Sequence, residues 1–336
     1  MNGPLSHTNW LKYNKVGIAH TIVEYPLYSD ITVTSEFKDG LEPLSFHNAM
    51  PICRYKGEVV IPVVLRIGYC LDNDITNLKT SNFESYHAGW INDEIAALMS
   101  LILGARFYAG DEIRSFGRYG DDPMGSPQFC NNTHPPLNVI NSRRHVLPLA
   151  IESKCLNDIE ILKTYPNLSP KCATKLIQVA RQYQNALWVA ETDPSLTWVM
   201  LISALEVAAS QWVKKKHSNI ERLKFSFSDY YEYLESLENP DLIKQTANTF
   251  VDITRATQKF VDFCLQFKPR NLEQPKSAGF DYTTENITNA FKKIYEYRSK
   301  ALHGGIPFPA PLCSPPDLID TPFWPRPGGL AGSSLG

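Results

Sequence analysis

The sequence predicts two parts, a mixed α+β domain followed by an all-helical bundle. Three observations carry that division. Runs of β-branched and apolar residues cluster ahead of residue 72. From about residue 167, apolar residues recur every three to four positions. Between them, Phe116 to Asn138 is rich in glycine, proline and asparagine, the composition of a long loop.

In the first part, His20 to Phe37 reads as strand material broken by Pro26 and the Ser29–Asp30 pair. Gly57 to Leu71 is the strongest strand signal, a near-continuous apolar run interrupted by Pro62. A helix is expected at about 92–108, with acids in its first turn. The loop after it reads equally as a binding loop or a connector. These elements make up a domain over 1–150, for which a sensory role fits.

The bundle is expected over 167–306, with helices at about 170–191, 194–214, 227–237, 240–267 and 284–303. Ser169–Pro170, Asp193–Pro194 and Asn239–Pro240 each set a capping side chain ahead of a proline at the first helical position. Helix 194–214 is apolar on nearly all sides, which suits the middle of a bundle. The tail, 307–336, is dense in proline and then in glycine and serine. It cannot be helical, has little to pack and reads as extended or disordered, either a docking segment or a plain ending.

Composition bounds the chemistry. The 336 residues are 43% hydrophobic and 20% charged, with a net charge of -2. That is a soluble globular profile without a global field for nucleic acid, so any such contact needs a local basic patch. Seven cysteines are scattered with no CxxC spacing, which suits a reducing compartment and predicts no metal site. The N-terminus lacks a signal-peptide run, and Ile95 to Ala105 is too short to span a bilayer. The expectation is a cytoplasmic protein with no membrane contact and no cofactor.

The last predicted helix carries the chemistry. Ile287, Phe291, Ile294, Arg298 and Leu302 step by three and four, so Arg298 occupies an apolar stripe. An arginine there pairs with an acid, reaches a rim or lines a cleft, because an unpaired buried charge is costly. His303 lies five residues on, about 140° around and roughly 7.5 Å along the axis. Gly304–Gly305 can supply a left-handed cap after it. A helix C-terminus favours an imidazolium, and histidine titrates in the range useful to a general acid or base. Each residue also has a plain reading, a structural ion pair for Arg298 and a cap residue for His303.

Glu206 sits inside the very apolar helix and needs a partner, for which Arg298 is the candidate. The pair either fixes the bundle or orients the arginine in a cleft. Lys214, Lys215 and Lys216 follow the same helix and read as an RNA contact or a solvated helix end. Lys300 stands nearer the motif and is a further RNA-contact candidate.

Taken together, Trp198 to Glu206 and Tyr295 to Gly305, an R-x4-H pattern closing the last helix of a bundle, resemble the HEPN superfamily, most closely its ApeA-like branch. The resemblance covers about 170–306. It implies a metal-independent endoribonuclease that dimerises so that two R-x4-H motifs share one cleft. Carried over by position, Arg298 would hold the scissile phosphate and His303 would exchange a proton, leaving a 2′,3′-cyclic phosphate. A role in phage defence or as a toxin is implied by the same likeness. Many active members carry Asn, Asp or His after the arginine. Here Ser299 stands in that place and can donate a hydrogen bond to phosphate. The alternative is a non-catalytic module of the same type that binds RNA, a nucleotide or a protein.

Overall fold

A computed structural model describes residues 3–35, 40–48, 58–71, 89–117, 123–129, 146–147, 150, 153–212, 217–268, 283–314, 317–318 and 325–326. The chain divides into two compact units, Met1–Asp193 and Pro194–Gly336. An antiparallel sheet region comes first and a mostly helical part second, as the coarse fold class predicts.

The first unit opens with α1 (Leu5–Val16), which the strand-centred reading of this region passes over. Its sheet is built from β1 (Thr21–Ser29), β3 (Leu44–Asn48), β4 (Val60–Tyr69), β5 (Tyr108–Ala109), β6 (Arg114–Phe116) and β7 (Ser126–Pro127). The order is β3-β4-β1-β6-β7, with β5 also pairing β1. Short β2 (Val33–Thr34) pairs with β8 (Lys154–Cys155) in parallel. Both prolines in the central strands are accommodated. The β1–β4 register shifts between Leu27 and Ser29, opposite Pro62, and a bulge relieves the missing donor. Pro26 falls where the other partner of β1 changes from β6 to β5.

Helix α2 (Ile91–Leu103) covers this sheet; Ile95, Ala96, Ala97 and Met99 are wholly buried on it. It ends at Gly104, in the left-handed region at φ 61°, so it is shorter than the apolar periodicity suggests. Helix α3 (Pro170–Val189) packs against α2 and lends Ala173, Ile177 and Ala180 to the same core. It therefore belongs to the first unit, not to the bundle expected from residue 167.

Arg106 explains that placement. Its side chain is fully buried and donates to Asp30 Oδ2 at 2.6 Å, Glu191 Oε1 at 3.2 Å and the Leu187 carbonyl at 2.7 Å. Gln184 and Trp188 of α3 both donate to the Phe107 carbonyl. A charge buried this deeply survives only with such a full set of partners. The partners come from the end of β1 and the end of α3, so the network ties α3 to the sheet.

The second unit contains α4 (Pro194–Gln211), α5 (Asn219–Ser226), α6 (Ser228–Ser236), α7 (Pro240–Thr249), α8 (Val251–Phe267) and α9 (Thr284–Gly304). Ser169 and Asn239 cap α3 and α7 as their Xaa–Pro pairs predict. Ser218 and Glu221 form a capping box that starts α5, a helix the periodicity does not reveal. The span expected as one helix over 240–267 breaks at Phe250, which packs on Phe227 with ring centroids 6.0 Å apart. Helix α4 buries Thr197, Ile202, Ala204 and Ala209 but leaves Leu196 and Leu205 exposed. It is less enclosed than its all-round apolarity suggests.

Beyond α9 the chain does not simply trail away. Phe308 is 3% exposed and stacks on Trp198, with centroids 5.9 Å apart and planes 13° apart. Its backbone N–H donates to Ser195 Oγ at 3.2 Å, and Trp198 Nε1 donates to the Leu312 carbonyl at 2.8 Å. A tail whose composition offers little to pack thus begins with an anchored strap over α4. The rest of the tail lies mainly outside the described residues.

Two outcomes test these contacts. Phe308→Ala should destabilise the second unit by about 3 kcal/mol in denaturant unfolding, the usual cost of emptying a buried aromatic site. In the first unit Glu94 is wholly buried and accepts the Leu5 and Ser6 N–H groups at the start of α1. Burial pushes its carboxyl up to about 7, against those hydrogen bonds. A folded pKa above the unfolded value gives stability that is complete below about pH 4.5 and lost as pH rises through 7. Glu94→Gln should flatten that decline, which can reach about 1.4 kcal/mol per pH unit, in unfolding curves collected from about pH 4.5 to 8.

Candidate active site

Helix α9 starts at Thr283, whose hydroxyl accepts the Asn286 N–H at 3.3 Å. It ends at Gly305, in the left-handed region at φ 63°, whose N–H returns to the Lys300 carbonyl. One stripe faces inward: Ile287 is buried, and Phe291, Ile294 and Tyr295 pack against Phe260, Val261 and Cys264 of α8 and Ile202 of α4. Arg298 lies on that stripe, one turn past Ile294.

There Arg298 meets Glu206. Its Nη2 donates to Glu206 Oε2 at 2.7 Å, the pairing that the sequence predicts. Tyr295 Oη donates to the other oxygen, Oε1, also at 2.7 Å. One carboxylate thus holds two side chains of α9 from α4. Burial, and then the Glu206 hydrogen bond, push the Tyr295 hydroxyl above its ordinary pKa, so it remains a donor. The Arg298 guanidinium carbon lies 6.0 Å from the Tyr295 ring centroid. The ring is itself tilted against Phe260, 5.0 Å away.

This pair is neither sealed nor free. The side chains of Arg298 and Glu206 keep 18% and 30% of their exposure. Arg298 Nε is buried with no hydrogen-bond partner among the described residues. A guanidinium with one arm clamped and the rest only partly solvated can still receive an anion.

The remaining predicted residues separate. His303 is exposed in the last turn of α9. At five positions from Arg298 its direction differs by about 140°, so the two groups of one chain diverge. Ser299 is half-buried beside Arg298. Lys300 is exposed and bound to Glu296 Oε1 at 2.6 Å within the helix, which gives its ammonium a competing partner. Lys214, Lys215 and Lys216 lie outside the described residues. His217, just after them, bonds Asp262 Oδ2 at 3.0 Å.

Sequence reasoning passes over Tyr295 and the strap. Tyr295 stands three residues before Arg298 on the inward face, where a tyrosine hydroxyl needs a partner, and that is the signal the sequence offers. Among the described residues no group of three or more His, Cys, Asp or Glu gathers as a metal site would require.

The shared carboxylate makes a measurable claim. Glu206→Ala should cost about 1–2 kcal/mol of stability, since two donors are deprived of their acceptor together. A double-mutant cycle with Arg298→Ala should return a coupling of about 1 kcal/mol, at the upper end for a partly solvated pair.

Compared with known proteins, the chain matches no family model, no curated protein and no solved structure.

Proposed function

We propose that the chain is a metal-independent endoribonuclease of the HEPN type, acting as a homodimer. One observation carries the reading. The last long helix of the second unit bears a guanidinium anchored by Glu206 yet partly open, and its final turn bears an exposed imidazole. These are the two groups that phosphodiester transesterification asks for.

In this scheme Arg298 binds the scissile phosphate and offsets the charge that develops on its oxygens. The ribose 2′-oxygen attacks phosphorus, the bond from phosphorus to the 5′-oxygen breaks, and a 2′,3′-cyclic phosphate remains. One proton leaves the 2′-hydroxyl and one reaches the departing oxygen, so the step is balanced without water or an oxidant. His303 handles one of those protons. The divergence of Arg298 and His303 within a single chain supports a second copy, whose histidine would complete the cleft. Glu206 and Tyr295 hold the guanidinium in place, and Ser299 offers a further donor. A part in phage defence or as a toxin rests on the HEPN resemblance alone.

One observation favours the alternative, a non-catalytic module that binds RNA, a nucleotide or a partner protein. The Nη2 arm of Arg298 is already committed to Glu206, which lowers its pull on a phosphate. Cleavage assays separate the two readings. Bulk RNA incubated with the protein in EDTA should be cut to fragments ending in cyclic phosphate. His303→Ala should slow this by roughly 100-fold or more, the usual worth of a positioned general acid or base. Intact RNA with both proteins would reject the nuclease and leave the binding module.

A further inference from the structure

Four cations gather on the second unit away from the Glu206–Arg298 pair. Arg255 and Lys259 stand one turn apart on the outer side of α8. Arg222 approaches them from α5, which packs on α8. Lys292 of α9 places its Nζ 3.8 Å from the centre of the Phe225 ring, and Phe225 is one turn beyond Arg222 on α5. Lys292 is thus joined to the α5–α8 group through the Phe225 ring.

Some nearby acids have other partners, while Glu221 beside Arg222 feels that guanidinium and exposed Asp252 stands one turn before Arg255. Asp262 is held by His217 and Gln258. Glu221 closes the capping box with Ser218, and Glu296 holds Lys300. No described carboxylate forms an ion pair with Arg222, Arg255, Lys259 or Lys292; the Arg222 guanidinium bonds the amide of Asn219. The crowding is felt: burial first, then Arg255 and Arg222, lower the Lys259 pKa. Burial does the same to Lys292. Like charges assembled without a direct ion pair cost stability, and a polyanion relieves that cost.

The cluster also has a direction. Lys292, Ser299 and His303 follow one another at seven and then four residues, within about 20° of one stripe of α9. A flexible chain of phosphates seated on the cluster would run along that stripe for roughly 16 Å to reach the imidazole. We propose that Arg222, Arg255, Lys259 and Lys292 form a docking patch for the phosphate backbone of single-stranded RNA, leading it along α9 to the reactive turn. The proposal rests on the nuclease reading for its substrate but not for its test.

That test is binding without cleavage. The His303→Ala protein is titrated against a fluorescein-labelled single-stranded RNA over a series of salt concentrations, read by anisotropy. Replacing Arg255, Lys259 and Lys292 together with Gln should weaken binding by about tenfold or more. The slope of log affinity against log salt should fall by about 0.7 for each phosphate that the patch no longer neutralises. Arg255→Gln with Lys259→Gln spares the Phe225 seat and should weaken binding several-fold, even if the triple variant fails to fold. Lys244→Gln on α7 is the control and should change neither quantity. Unchanged affinity and slope in the double variant overturn the patch, as does binding to anionic phospholipid vesicles but not to RNA. A native protein that cuts nothing, but whose patch variants bind RNA more weakly, sinks the nuclease and keeps the patch. One that cuts RNA while the patch variants bind normally does the reverse.

Discussion

A carboxylate on an apolar helix must be answered, and in the second unit the answer sets the rotation of α9. Glu206 rises from a helix whose neighbouring positions are Ile202, Val199 and Ala209. It accepts from both Arg298 and Tyr295. Two donors one turn apart on α9 reach one carboxylate only if that face of the helix turns toward α4. The same rotation sends His303 outward. Packing and candidate chemistry thus share one constraint, because the pairing that lets a charge lie in the apolar seam also directs the imidazole to solvent.

The first unit meets a related problem differently. Arg106 is fully buried, and two carboxylates and a carbonyl surround it. Nothing of it faces water, so it acts as a brace. Arg298 has fewer partners and more exposure, and an arginine in that intermediate state suits reversible contact with an anion. Burial and spare donor capacity, more than residue type, separate a structural arginine from a candidate reactive one.

Much of this was legible from residue order. The Arg298–Glu206 contact followed from two charges on apolar stripes, since each needed a partner and few were on offer. The α3 and α7 starts followed from Ser–Pro and Asn–Pro chemistry, which is local. What escaped was non-local. The assignment of α3 to the first unit depends on Arg106, whose partners at Asp30 and Glu191 are distant in sequence. The break at Phe250 involves an aromatic contact with Phe227, from the junction of α5 and α6, and no glycine or proline announces it. The burial of Phe308 depends on an indole in α4 that is far away in sequence, whereas composition around it speaks only of proline.

That buried phenylalanine bears on how sharply the imidazole is aimed. A terminal turn ordinarily frays, and a histidine on it would sweep a wide cone. Here the turn is closed by Gly305, and a few residues later the chain is pinned against Trp198. Fastened on both sides, the mount of His303 behaves as a stiff bracket, so a group at the rim of the molecule inherits the rigidity of its interior.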